Sequence, residues 1–264
     1  MVAWLAALLV ITLTRSQVAE SPWLMVHLLL LGAVTNAIFV WSSHFAGALD
    51  PSKPWHGRLM AAHIMTNLLG WVGLTVMGTL VTLWPTMLRT RIAENAERVA
   101  RQALPVLAGS VIVAVSGALF GLRAVAAIGV AGYLAGFLWA VRPLAQVARA
   151  KAPAAYATWS VMAAVIWLFG SLPGLVVVLV GSPTWLQASD WLGLLVMPLA
   201  AGFAAQILLG AMSFLVPLVL GGGPTILRGT QARMDSGNAL RATVVNAGLV
   251  ICLLPVPAKV RALV

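Results

Sequence analysis

The residues of this chain with the most chemical potential are crowded near its start. All four histidines, His27, His44, His56 and His63, fall within "HLLLLGAVTNAIFVWSSHFAGALDPSKPWHGRLMAAHIMTNLLGW" (27–71), with Met60 and Met65 among them. Neutral imidazole suits iron and copper, and thioether suits copper(I), so the set reads as ligands for haem iron or copper. The competing reading places each imidazole inside a helix bundle, hydrogen-bonded to a neighbouring helix, with His56 solvated in a loop.

The elements that carry these residues are membrane spans. Hydrophobic residues make up 61% of the chain and charged residues 8%, where a soluble domain carries roughly a quarter charged. Apolar runs able to cross a hydrocarbon core of about 30 Å recur near 2–14, 23–49, 59–88, 102–120, 124–141, 154–180, 191–220 and 238–257. The expectation is an all-α, polytopic bundle of eight spans, forming a single domain over 1–264. The first run, "VAWLAALLVITLT", has 13 residues, below the usual spanning length of about 17. It either tilts and thins the bilayer or belongs to a chain whose native start lies upstream. The longest polar connection, "RTRIAENAERVARQ" (89–102), is too short to fold alone. Its Glu94/Arg98 and Glu97/Arg101 pairs, acid first at i,i+4, predict a helical turn at the membrane surface.

The net charge of +10 is spread over many short loops, which argues for topology signals and against nucleic acid as a partner. Alternate loops carry eleven and five Lys and Arg residues. The positive-inside rule places the richer side in the cytoplasm and both termini outside, in a multi-pass protein of the cell membrane whose partner is the lipid bilayer. Trp23, Trp84, Trp139 and Trp159 then fall near inner ends, and Trp55, Trp185 and Trp191 near outer ones, as aromatic belts do.

Within this frame His27 lies at the inner end of the second span and His44 at its outer end. The third span runs back from about Leu59, which puts His63 at a depth similar to His44, with His56 in the joining loop. His44 and His63 are the candidate ligands of one site and His56 an accessory. His27 precedes His44 by about 260° of helix turn and most of the bilayer. It either ligates a second haem near the inner side or caps the helix entrance. Asn67, one turn after His63, is placed to orient its imidazole. Asn36, deep in the preceding span, either orients an imidazole as well or makes an interhelical hydrogen bond, and Gln206 and Asn246 read as interhelical hydrogen-bonding residues.

Several classes of function are disfavoured. All six acids, Glu20, Asp50, Glu94, Glu97, Asp190 and Asp235, fall in loops or at span ends, leaving no carboxylate at mid-membrane to carry protons or bind sodium. The single cysteine, Cys252, excludes an internal disulfide and a cysteine-ligated iron–sulfur cluster. No acid–histidine–nucleophile set is suggested by spacing. Gly117/Gly121, Gly132/Gly136 and Gly170/Gly174 fit small-xxx-small helix packing, and Pro173 is expected to bend its helix. "PLVLGGGPTILRG" (217–229) reads as a helix stop; it lacks a lysine and a hydroxyl at the set positions of a phosphate-cradling loop.

The segments "HLLLLGAVTNAIFVWSSHF", "HIMTNLLGWVGLTVMGTLVTLWPTMLRTRI" and "QILLGAMSFLVPLVLGGGP" resemble a bacterial polytopic membrane domain found joined to a multicopper oxidase or copper nitrite reductase-like cupredoxin module. The likeness covers about residues 20–225. More distantly, the chain is similar to haem-copper oxidase subunit I and the NnrS haem-copper proteins. The resemblance implies a redox or metal-handling membrane protein with His27, His44 and His63 at positions able to ligate. It also implies a cupredoxin or multicopper oxidase partner at the outer face. No histidine follows His63, so a complete oxidase is not expected of this chain alone. The expectation is therefore a subunit that binds haem b or copper; the alternative is a non-catalytic anchor or small-molecule permease with structural histidines.

Overall fold

The computed structural model describes residues 55–254. By its contacts the chain divides into Met1–His56 and Gly57–Val264, and the second unit holds the helices described below. The expected spans near 2–14 and 23–49, with His27, Asn36 and His44, lie outside the described residues.

Every regular element among the described residues is helical. They are α1 (His56–Leu88), α2 (Ala96–Leu119), α3 (Arg123–Ala140), α4 (Arg142–Ala150), α5 (Tyr156–Gly181), α6 (Trp185–Leu220), α7 (Gly223–Met234) and α8 (Asn238–Leu253). Among these residues six helical stretches are long and apolar enough to cross a membrane, the architecture of a multi-pass membrane protein. The last such stretch, Thr225–Leu253, joins α7 to α8 across a turn with Gly237 at φ 64°. The α7–α8 turn is anchored to the start of α5, because Asp235 accepts the Tyr156 N–H at 2.9 Å. Gln231 of α7 likewise meets Arg89 at the end of α1. Short helix α7 therefore belongs to one end of the bundle.

At that same end lie Arg89, Arg91, Arg98, Arg101, Arg142, Arg149 and Lys151, with Arg228, Arg233 and Arg241, while Arg58 and Arg123 lie at the other. The basic asymmetry read from the loops is thus a property of the folded bundle. Short α4 shares the basic end. Its apolar side, Pro143, Leu144 and Val147, is buried, while Arg142, Gln146 and Arg149 are exposed. Such two-sidedness suits a helix lying along a membrane surface.

Helix α5 is the hub, packing against α1, α3, α6 and α8. It contains no charged residue, as expected of a helix apolar on all sides. Its Leu168, Leu172 and Leu175 are buried with Leu69 of α1, Leu107 of α2 and Phe203 of α6. A second cluster at the basic end gathers Leu80 and Trp84 of α1 with Leu144 of α4 and Val161 of α5. There Trp84 donates its indole N–H to the Leu144 carbonyl at 3.1 Å, so this residue is a tie between helices as well as an interfacial marker.

The α2–α3 hairpin is the closest helix pairing. A Cβ added at Gly117 would collide with the backbone of Ala126, and one at Gly129 with the backbone of Ala114. Of the glycine pairs expected to pack, Gly174 faces Leu195, whereas Gly170 has nothing within 4 Å of an added Cβ. Gly121 ends α2 instead of packing it. With φ 77° it closes a turn in which its own N–H meets the Ala118 carbonyl and the Leu122 N–H meets the Gly117 carbonyl at 2.7 Å, the hydrogen-bond pattern of a Schellman cap. Helix α5 continues through Pro173 without interruption, and α6 stops at three consecutive left-handed glycines, Gly221 to Gly223.

Spans begin and end a few residues from expectation for local reasons. Helix α2 starts at Ala96 and not near 102, its polar first turns carrying the exposed Glu97–Arg101 pair at 3.4 Å. Helix α6 starts at Trp185 and not 191, where the Thr184 hydroxyl accepts the Gln187 N–H as a cap.

Gly129→Ala should destabilise the protein by about 1–3 kcal/mol by forcing α2 and α3 apart. Gly170→Ala should stay within about 1 kcal/mol of the parent and on its stable side. Thermal unfolding of both variants in detergent compares them directly.

Candidate functional site

His63 lies in the second turn of α1, two residues before the helix widens into a π-helical segment, Met65–Gly73. Asn67 falls inside that segment. Its amide nitrogen is 2.9 Å from the His63 carbonyl and 3.2 Å from Nδ1 of the His63 ring. One Asn67 N–H takes the carbonyl, and the amide nitrogen also lies 3.4 Å from the second ring nitrogen, Nε2, so it rests against the imidazole edge. The expected pairing of Asn67 with His63 is present.

His56 and His63 are seven residues apart on one helix, two turns along the same side and roughly 10 Å apart along the axis. They cannot meet at one ion through that helix alone. Of the two candidate thioethers, Met65 is fully buried in the core, while Met60 is half-buried on the side of His63. Among the described residues no three His, Cys, Asp or Glu side chains come together. Neither His56 nor His63 lines the cavities of about 340 and 420 Å³.

The outward face of α1 is polar along most of its length. His63, Asn67, Thr75, Thr79, Thr82 and Thr86 are all exposed. Each threonine hydroxyl donates to a carbonyl three or four residues earlier, from Thr75 to Trp71 through Thr86 to Thr82. Exposed positions on the other spans include aliphatic ones such as Ile112 and Ile128 on α2 and α3, or Val177 and Val180 on α5. Small and hydroxyl residues of this kind are what membrane helices present to other helices.

The start of α1 is held by the opposite end of the bundle from Arg89. Gly57 lies against the Trp185 carbonyl, the Arg58 guanidinium lies over Gly121, and the Trp185 indole donates to the Gly121 carbonyl at 3.0 Å. These contacts fix the helix that bears His63 to the α2–α3 turn and to α6.

Two features at mid-membrane were not legible beforehand. Tyr133 of α3 is fully buried and donates to the Leu69 carbonyl inside the π segment at 3.1 Å. Gly73 leaves room for its hydroxyl, since a Cβ there would strike it. A second π segment, Pro198–Ala205, interrupts α6 and packs against the first. Proline lacks an N–H and clashes with the carbonyl four residues back, which accounts for the change of pitch at Pro198. A signal for Tyr133 existed: a phenol within an apolar span must find an acceptor.

Gln206 and Asn246, each expected to hydrogen-bond between helices, meet one another. Gln206 donates to the Asn246 side-chain oxygen at 3.0 Å, Asn246 donates back at 3.2 Å, and the Trp167 indole donates to the same Asn246 oxygen at 2.6 Å. Ser160 closes the network on the Gln206 carbonyl at 2.8 Å. Every polar atom in this arrangement serves helix packing, which makes it a fastener of α8 and not a reaction centre.

Comparison of the chain with protein-family models, with curated proteins and with solved structures found no match.

Gln206→Ala and Asn246→Ala should each destabilise α8, with a coupling energy in the double mutant of about 0.6 kcal/mol and at most about 1.7. Chemical unfolding of the four proteins in mixed micelles measures the cycle.

Proposed function

We propose that this multi-pass protein binds haem or copper through the histidines of residues 27–63 and serves electron transfer or metal handling at the outer face of the cell membrane. His44 and His63 are the proposed ligands, His56 an accessory ligand or entry group, and His27 the candidate for a second site near the opposite end. The observation that carries the reading is the exposed polar face of α1, with an ionisable His63 inside a membrane span. Such residues are costly in hydrocarbon and mark functional positions. Met60, half-buried on the same side of α1, adds a thioether suited to copper(I). The resemblance to membrane domains joined to cupredoxin modules supports the same class and a copper-protein partner.

An imidazole that ligates through Nε2 carries its proton on Nδ1, and the Asn67 side-chain amide lies 3.2 Å from that nitrogen. That makes Asn67 a positioning residue for His63. One observation favours the rival reading, an anchor or permease with structural histidines: Asn67 meets the His63 ring and carbonyl within one helix, so the imidazole is already satisfied.

The test is iron and copper content per chain, with a reduced-minus-oxidised absorption spectrum, on protein purified in mild detergent. The expected result is about one or two iron or copper ions per chain. His44→Ala and His63→Ala each abolish binding, His56→Ala weakens it, and Thr75→Val leaves it unchanged. A protein without either metal, or one that keeps full occupancy in His63→Ala, overturns the proposal in favour of the structural reading.

A further inference from the structure

At the basic end, a cavity of about 340 Å³ opens between the end of α1, the α4–α5 linker, the last turns of α6, and α7. Its walls are of two kinds. Met87, Leu88 and Phe214 make an apolar floor, while Arg89, Lys151 and Gln231 supply cations and an amide at the rim. The one acid in the lining, Asp235, already accepts the Tyr156 N–H, and the Tyr156 ring carries the Arg241 guanidinium 4.0 Å from its centre. The cavity therefore has a positive rim.

Arg89 is the informative residue. It closes α1 with the same hydrogen-bond pattern that Gly121 uses to close α2: its N–H meets the Thr86 carbonyl at 3.0 Å and the Thr90 N–H meets the Pro85 carbonyl at 2.9 Å. Its backbone is left-handed, φ 53° and ψ 51°, the one non-glycine residue with positive φ among the described residues. Glycine is the residue of choice in such a cap, and a side chain there is strained. What the arginine gains is reach: its guanidinium spans to the Gln231 side-chain oxygen at 3.4 Å. A strained cation at the rim of a cavity points to a ligand.

We infer that this cavity binds the phosphate headgroup of an anionic membrane lipid, with Arg89 and Lys151 contacting the phosphate and Gln231 holding Arg89 in place. The apolar floor and the height of the site select a lipid over a soluble phosphate ester. Leu88 ends one span and Tyr156 begins another, so the cavity lies where headgroups lie. Basic pockets between membrane helices on the cytoplasmic side take such headgroups. The adjoining groove, about 420 Å³ and lined by Leu80, Trp84, Leu144, Met162 and Ile166 with Arg149, borders the same linker and gives an acyl chain an apolar surface. This inference requires a membrane protein but no bound metal, so it stands or falls apart from the haem or copper reading.

The experiment is a titration of the delipidated full chain in mild detergent, followed by native mass spectrometry and thermal shift. Phosphatidylglycerol, phosphatidylcholine and free glycerol 1-phosphate serve as the probes. Phosphatidylglycerol should bind and raise the unfolding temperature, and the other two should not. Arg89→Gly should weaken phosphatidylglycerol binding by about tenfold while leaving the lipid-free unfolding temperature unchanged or higher, because glycine relieves the strained cap. Lys151→Gln should weaken binding in the same direction. The control Arg98→Gln/Arg101→Gln removes two charges from the same end, outside the cavity, and should change binding less than about twofold. An equal loss in that control would mean surface charge alone, and full binding in Arg89→Gly would remove the site. Comparable binding of glycerol 1-phosphate would overturn the lipid assignment.

Discussion

The hydrocarbon core supplies no water, so each polar group in a span must find its partner inside the protein. This constraint accounts for most of the specific contacts in the bundle. The Tyr133 hydroxyl is spent on the Leu69 carbonyl, and the Trp167 indole and the Gln206 and Asn246 amides are spent on one another. The threonines of α1 each bond their own helix. Where α1 widens into its π segment the backbone no longer satisfies itself in the usual register, and Tyr133 and Asn67 are the side chains that meet the carbonyls concerned.

The same constraint explains why the two π segments lie together. A π segment inserts an extra residue into a helix, so the residues after it are rotated relative to those before it. With Met65–Gly73 packed against Pro198–Ala205, the two long helices change phase at the same place, and Leu69, Leu199 and Phe203 fill the junction. The result divides α1 into a half that bears His63 and a half that ends at Arg89. One half is held by Gly121 and Trp185, and the other by Leu144 and Gln231.

The sequence carried the class of this fold and much of its layout. Apolar length alone placed α3 and α5 within two residues at each end, because nothing interrupts those runs. It misplaced the start of α2, since Arg98 and Arg101 end the apolar pattern while the backbone continues in helix. Amphipathic α4 and α7 were read as loops because nine and twelve residues with several charges fall below any spanning length. That Gln206 and Asn246 bond between helices was legible, for lone amides in apolar spans have few other uses; that they bond each other was not. Tyr133 and Arg89 were not: the first bonds a backbone carbonyl 64 residues away, and the second depends on a backbone angle that its residue type disfavours. Asn67 was recognised as a neighbour of His63 because four residues of helix bring two side chains to one face.

The two ends of the bundle carry different chemistry, histidines near one and a cationic cavity at the other, and both assignments rest on which end faces the cytoplasm. The most direct measurement is labelling of single cysteines by a membrane-impermeant maleimide on intact cells, with Cys252 replaced by alanine. Leu122→Cys, in the exposed α2–α3 turn, should be labelled on intact cells, and Ser236→Cys, in the turn between α7 and α8, only after permeabilisation. Labelling of both from one side, or the reverse pattern, would contradict the account.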